Sequence, residues 1–315
     1  MKKFNMQNVI MWVIPQQAGG YKFRYRGNFQ RVKNHLKLQI HNSIQLGWPK
    51  EDIIVITNFP FQHMGVKAHV LDEVCGWSAF ANKLIFVNEM IKQGVINDNF
   101  WFHDADAYQL EPFNFPEECK DVGFVRHAVG RSKPQGASSF YRKEAFDIVS
   151  AIADMIKLFR PTKEESFFPA FYNKRSGEKS ILKQRNNLAI VKGKIKKVKA
   201  NGGAEAALAK LQKKAAIKKK MAKGASKYFG KFAERFCWLD YTYNISHQRM
   251  FTSKYRLATK PIKVLHFHTE YESCLRCYYY GINRHKVRVV DDRLEKLFLR
   301  YGFINKSKKR EPENV

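Results

Sequence analysis

Apolar residues in this chain fall into short unbroken blocks separated by longer stretches of helical spacing. Residues 8–14 (NVIMWVI) form one block, closed by Pro15, and residues 52–57 (DIIVIT) form another. Between them Val32, Leu36, Ile40 and Ile44 recur on one face of a helix over 29–46. Residues 65–71 predict a shorter third strand. Phe80, Leu84, Val87 and Ile91 predict a helix over 77–91 that Gly94 stops. Residues 99–103 (NFWFH) then predict a strand running directly into Asp104. Further along, 123–127, 236–243 and 262–267 predict strands. Residues 144–159 predict a helix with Phe146, Val149, Ile152, Ile156 and Phe159 on one stripe, and 130–136 predict a mobile loop. This alternation predicts an α/β fold with a mixed, mostly parallel central sheet flanked by helices.

Composition changes the picture at one place. The chain holds 57 Lys and Arg against 28 Asp and Glu, a formal net charge of +29. Residues 183–231 carry fifteen Lys and Arg185 against a single acid, Glu205. A soluble protein this basic meets a polyanion: nucleic acid, or an anionic membrane or glycan surface. Within that segment Asn201-Gly202-Gly203 marks a break. After it, Ala204, Leu208, Leu211 and Ala215 form a narrow apolar stripe among Lys210, Lys213, Lys214, Lys218, Lys219 and Lys220. These predict a Lys-rich helical insertion with a weak docking face. The expected division is 1–182 and 232–305 as two parts of one α/β domain, 183–231 as the insertion, and 306–315 as a charged tail.

The five cysteines are odd in number and scattered, which argues against a disulfide framework, and Cys274-Leu-Arg-Cys277 alone makes no zinc site. The first apolar run is too short for a signal peptide, and no stretch reaches the length of a membrane span. The expectation is a cytoplasmic protein, in the host cytoplasm if the protein is viral, without stable membrane insertion.

Asp104 and Asp106 carry the chemistry. Two carboxylates one residue apart, after a buried strand, offer the closely spaced hard oxygens that Mg²⁺ or Mn²⁺ takes and shares with substrate phosphates. Carboxyl ends of strands are also where such sheets bind ligands. The plain alternative is a solvated turn. Residues 100–107 (FWFHDADA) resemble the DxD motif of GT-A-fold glycosyltransferases. Residues 264–269 (VLHFHT) resemble the late strand whose histidine completes the metal shell in several such families, and 235–247 resemble the strand before it. Residues 163–168 (KEESFF) resemble an acidic acceptor-side helix start. The likeness covers most of 8–175 and 232–275; the basic insertion has no counterpart.

The resemblance implies a GT-A-like fold, a divalent cation and a nucleotide-sugar donor, a UDP-sugar first among them. Asp106 would bind the metal. Asp104 would meet the donor, or the metal through water. His268, nearer the open strand end, is preferred over His266, which reads as a hydrogen-bonded core histidine. Thr57 and Asn58 are placed for the nucleobase, Lys83 for the diphosphate or an ion pair with an Asp, and Ser138 and Ser139 for the donor sugar. Glu164, Glu165 and Asp240 are candidate bases for the acceptor hydroxyl, although the two glutamates also suit the first turn of a helix.

The insertion directs the acceptor expectation. Cations without counter-charge give sequence-independent, salt-sensitive affinity for DNA. The expected acceptor is therefore a hydroxymethylated pyrimidine in DNA, as for a phage-type DNA-modifying enzyme. A transferase acting on lipopolysaccharide or another surface glycan is the alternative, and a non-catalytic nucleic-acid-binding protein is a second. The interleaved Tyr21, Lys22, Phe23, Arg24, Tyr25 and Arg26 suit base stacking and phosphate, or an edge strand.

Overall fold

A computed structural model of the chain describes residues 4–14, 16–17, 20–21, 29–72, 78, 80–130, 133–161, 167–202, 204–246, 251–267 and 291–304. Ten strands organise it: β1 (Gln7–Trp12), β2 (Ile53–Thr57), β3 (His69–Val70), β4 (Phe100–Asp104), β5 (Ala107–Gln109), β6 (Val122–Arg126), β7 (Pro134–Tyr141), β8 (Phe236–Leu239), β9 (Ile245–Ser246) and β10 (Val264–His266). Seven of them form one sheet in the order β8-β6-β7-β4-β1-β2-β3. All neighbours in it are parallel except β7, which runs antiparallel to both β6 and β4. The remaining three make a small sheet, β9-β10-β5.

The uninterrupted apolar blocks arise because both faces of the large sheet are covered. Side chains of β1 alternate between two cores: Val9 and Met11 face one, Ile10 the other. Ile54 and Ile56 against Ile53 and Val55 in β2, and Phe100 and Phe102 against Trp101 in β4, divide the same way. Helices α2 (Lys83–Lys92) and α3 (Phe146–Phe159) cover the first face. Helix α1 (Phe29–Gln45) covers the second through Val32, Leu36 and Ile40.

Two segments differ from the sequence reading. Strand β7 begins inside the stretch read as a mobile loop, at Pro134, and runs on to Tyr141. Its eight residues, PQGASSFY, are all buried between β6 and β4. Gly136, Ala137, Ser138 and Ser139 carry little apolar signal, so the strand is set by its neighbours rather than by its own pattern. The strand read over 236–243 ends at Leu239, where Asp240 caps a short 3-10 turn by accepting the Thr242 N–H at 2.7 Å.

The basic region is a pair of antiparallel helices. Beyond α4 (Phe168–Tyr172), helix α5 (Lys174–Ala200) starts upstream of the composition change, and α6 (Glu205–Tyr228) returns along it. Gly202 takes φ +60° in the turn between them. Gly177, Ile181, Gln184, Leu188, Val191, Ile195 and Val198 recur at alternating steps of four and three, and all are withdrawn from solvent. Leu208, Leu211, Ala215, Lys218, Ala222 and Ala225 do the same on α6. This is the heptad seam of a coiled coil. The stripe read from sequence thus has its partner in the preceding helix, with Ala204 left exposed. At the base Gly177 packs against the 170 and 230 backbones, and α6 packs on α3. Helix α7 (Phe251–Leu257) and helix α8 (Asp292–Arg300) complete the described chain. Leu294, Leu297 and Phe298 of α8 pack on Tyr108, Leu265 and Phe267. Among the described residues no helix is long and apolar enough to cross a membrane.

Candidate metal centre

Strand β4 ends at Asp104, level with Met11 of β1, at the carboxyl end of the parallel strands. The chain turns through Ala105 and Asp106 and leaves as β5. Helix α1 holds this turn from one side: the buried Gln39 amide donates to the carbonyls of Ala105 (3.1 Å) and Ala107 (2.7 Å). Strand β10 holds it from the other. Register pairs His266 with Ala107, and the Phe267 N–H donates to the Asp106 carbonyl at 2.7 Å. The small sheet therefore carries an imidazole to the carboxylates.

One ligand atom from each of Asp104, Asp106 and His266 lies within 4.8 Å of the other two. His266 Nε2 is 3.3 Å from Asp106 Oδ1. Lys83, the first residue of α2, places its ammonium 2.6 Å and 2.7 Å from the two oxygens of Asp104. Only Oδ2 accepts an aligned hydrogen bond; Oδ1 is close to the cation but buried without one. Burial pushes the Asp104 carboxyl above its ordinary pKa and Asp106 adds to the effect, while Lys83 and, more weakly, His266 oppose it. Two carboxylates, one of them with an oxygen that accepts no aligned hydrogen bond, and an imidazole suit a divalent cation.

Behind His266 lies a second layer. Gln135, the second residue of β7, sets its amide nitrogen 3.1 Å from His266 Nδ1. Its carbonyl oxygen accepts from the Lys254 ammonium at 2.9 Å. Lys254, on α7, is fully buried, and desolvation pushes its pKa down to about 7. Neither residue stood out in the sequence.

The other expected site residues take mixed positions. His266, read as a core histidine, is the imidazole that meets the acids; His268 lies outside the described residues, as do Glu164 and Glu165. Lys83 does pair with an Asp. Thr57 and Asn58 sit at the carboxyl end of β2 with their side chains turned to backbone. The Thr57 hydroxyl donates to Phe59 O at 2.6 Å, and the Asn58 amide clasps both N–H and carbonyl of Ile14. Ser138 bridges Trp101 Nε1 and Tyr243 O, and the Ser139 hydroxyl lies 3.4 Å from the Tyr141 hydroxyl. One oxygen of Asp240 accepts two backbone N–H groups, from Thr242 and Thr259. His103 is a neutral core histidine: buried, bonded to Asn8 and stacked on Trp101, with its pKa pushed down to about 3 by desolvation. His35, on α1, is held likewise against the Tyr108 hydroxyl at 2.6 Å. Cys119 and Cys237 are free thiols; the CxxC pair and residues 22–26 lie outside the described residues.

Of these, Gln39 and His35 left a signal. They are polar residues on the apolar face of α1, alongside Asn42 and Ser43, and all four are buried. A buried polar group needs a partner, and for Gln39 that partner is the acidic turn.

No known protein family matches the chain. No curated protein matches it either. Among solved structures it is similar to GlyE, a glycosyltransferase of Streptococcus pneumoniae TIGR4, at 10% identity and TM-score 0.43, covering 96% of this chain and 62% of that one. The apo form of GlyE gives 10% identity and TM-score 0.42, with 97% and 62% covered. This chain thus spans less than two thirds of the length of GlyE. A glycosyltransferase involved in glycosylating the major capsid of PBCV-1 is similar over 51% of this chain and 74% of its own, at 10% identity and TM-score 0.34. These three structural neighbours are glycosyltransferases, and scores this low leave the likeness loose.

Proposed function

We propose that this protein is a metal-dependent glycosyltransferase of GT-A type that moves a sugar from a nucleotide-sugar donor to a hydroxyl acceptor. The observation that carries the reading is the convergence of Asp104, Asp106 and His266 at the carboxyl end of the central strands, beside Lys83. The two carboxylates and the imidazole would hold Mn²⁺ or Mg²⁺, and the ion, when bound, supplies Lewis-acid stabilisation to a departing nucleoside diphosphate. Lys83 keeps Asp104 in place and adds a positive charge where a diphosphate would lie. Gln39 fixes the turn, so the acids are set before the donor arrives. Thr57, Asn58 and Ser139 contribute as walls whose side chains are already anchored. Glu165 and Asp240 are the proposed bases, and one oxygen of Asp240 is taken up by capping.

For the acceptor, a hydroxymethylated pyrimidine in DNA fits best. The support is the helical hairpin. Its apolar stripes are used internally, so its lysines, Lys210, Lys213, Lys214, Lys219 and Lys220 among them, face solvent around a thin rod. Such a rod matches a polyphosphate chain better than a membrane, which would need a continuous apolar face.

The test combines purified protein, Mn²⁺, a panel of nucleotide sugars and hydroxymethylated duplex, read by mass spectrometry of the nucleosides. A hexose or pentose adduct that disappears with chelator and in Asp106→Asn is the expected result. Donor hydrolysis without an adduct would remove the DNA acceptor. No donor binding at all would remove the enzyme and favour a nucleic-acid-binding protein.

A further inference from the structure

We infer that Gln135, locked by Lys254, is a positioning residue that sets which nitrogen of His266 carries the proton, and so sets how readily the site accepts a divalent cation. The second half of this inference rests on the metal reading above; the first half stands without it.

Donors and acceptors around the Gln135 amide decide the tautomer. Lys254 Nζ donates to the amide oxygen of Gln135 at 2.9 Å, and in its ammonium form it cannot accept. The amide NH₂ must then be the group facing His266 Nδ1 at 3.1 Å. An NH₂ group only donates, so Nδ1 is the unprotonated nitrogen. The ring proton therefore sits on Nε2, the atom 3.3 Å from Asp106 Oδ1. In this arrangement the imidazole closes the acidic pair with an N–H, the wrong atom to offer a metal. To ligate through Nε2 the ring must carry its proton on Nδ1 and find an acceptor there. Among the described residues, the oxygen of Gln135 is the acceptor an amide turn would bring to Nδ1, and Lys254 holds it away. Histidines that bind metals generally donate their other N–H to a carboxylate or carbonyl; here an amide turned the other way stands in that place. Three elements contribute to the arrangement, α7, β7 and β10, and all three side chains are buried, so rotation of the amide is opposed by packing as well as by the ammonium.

The decisive variant is Gln135→Glu. It keeps the shape, pairs one oxygen with Lys254 and presents the other to Nδ1 as an acceptor. In metal-free protein, ¹⁵N–¹H correlation spectra should find His266 protonated at Nε2 in the wild type and at Nδ1 in Gln135→Glu. Mn²⁺ titration followed by electron paramagnetic resonance should find the variant binding about tenfold more tightly, in line with the effect of such supporting partners. Lys254→Met, which frees the amide to turn, should also tighten Mn²⁺ binding. A wild-type His266 protonated at Nδ1, or an unchanged tautomer in Gln135→Glu, overturns the inference whatever the metal does. A tautomer that switches while Mn²⁺ affinity stays equal overturns the control over the cation. If neither protein binds Mn²⁺, the metal reading fails, and the spectra still decide the tautomer.

Discussion

Two glycines on one helix should answer the same substitution with opposite signs. Gly177 and Gly193 both lie within α5. An alanine at either gains about 1 kcal/mol of helix propensity. At Gly193 a Cβ meets nothing within 4 Å, so the gain stands and Gly193→Ala should stabilise the arm by about 1 kcal/mol. At Gly177 the same atom lies 2.8 Å from Gly230 N and 2.9 Å from Ala170 O. Both are backbone atoms and cannot rotate aside. They are also bonded to each other, Gly230 N donating to Ala170 O at 2.8 Å, so the methyl wedges into a hydrogen bond that closes the base of the hairpin. Overpacking costs about 1–3 kcal/mol, and an unpaired buried donor costs about 1–3 kcal/mol more. After the propensity gain, Gly177→Ala should destabilise the base by roughly 1–5 kcal/mol. Hydrogen exchange read by mass spectrometry on peptides from 174–231 resolves the arm from the rest of the protein. The expected outcome is faster exchange at both ends of the hairpin in Gly177→Ala and slower exchange in Gly193→Ala. Equal or greater protection in Gly177→Ala would mean that the two backbones do not approach as described.

Four further outcomes follow from the same geometry. Mn²⁺ at a hundred times its dissociation constant should raise wild-type stability by about 2.7 kcal/mol, and Asp106→Asn should lose this gain in a thermal melt; a wild type indifferent to Mn²⁺ would count against the metal centre. Gln39→Leu leaves the Ala105 and Ala107 carbonyls without their donor; it should cost about 1–3 kcal/mol and weaken Mn²⁺ binding, and full metal affinity in this variant would show the turn to be self-supporting. Replacing Lys210, Lys213 and Lys214 with Gln should flatten the slope of log affinity for duplex DNA against log salt by up to about 2.7, measured by fluorescence anisotropy; an unchanged slope would place the DNA elsewhere. Lys254 has its pKa depressed to about 7 in the folded state. Its penalty is then complete below pH 7, declines as pH rises through the window up to the unfolded lysine value, and vanishes above it. Lys254→Met should therefore gain stability over wild type most at pH 6 and least near pH 10.5, and a constant difference in denaturant titrations would contradict a buried ammonium.

The sheet was legible because β1, β2 and β4 are covered on both faces and write themselves as apolar runs. Strand β7 was not, because its Gly, Ala and Ser are buried by position rather than by hydrophobicity. Helix α5 was hidden for a related reason. Its seam becomes periodic only when Gly177 and Gln184 are admitted as core positions, which needs the partner helix in view. At the candidate site, the paired acids could be read from the strand that runs into them, and Lys83 from the helix before that strand. The choice between His266 and His268 could not. Residues two apart on a strand share a face, so only the pairing of β10 with β5 fixes that His266 stands opposite Ala107. Gln135 and Lys254 come from 131 and 12 positions away from His266 and meet it through tertiary packing alone.

For the proposed DNA acceptor, the length of the hairpin sets a scale. At 1.5 Å per residue the 27 residues of α5 reach about 40 Å, close to the 34–36 Å of one turn of duplex. An arm of that reach lying along DNA would cover a footprint of about ten base pairs besides the target base. Oligonucleotides much shorter than this would then leave part of the arm idle, and apparent affinity should climb with duplex length until the whole rod is engaged and level off after that.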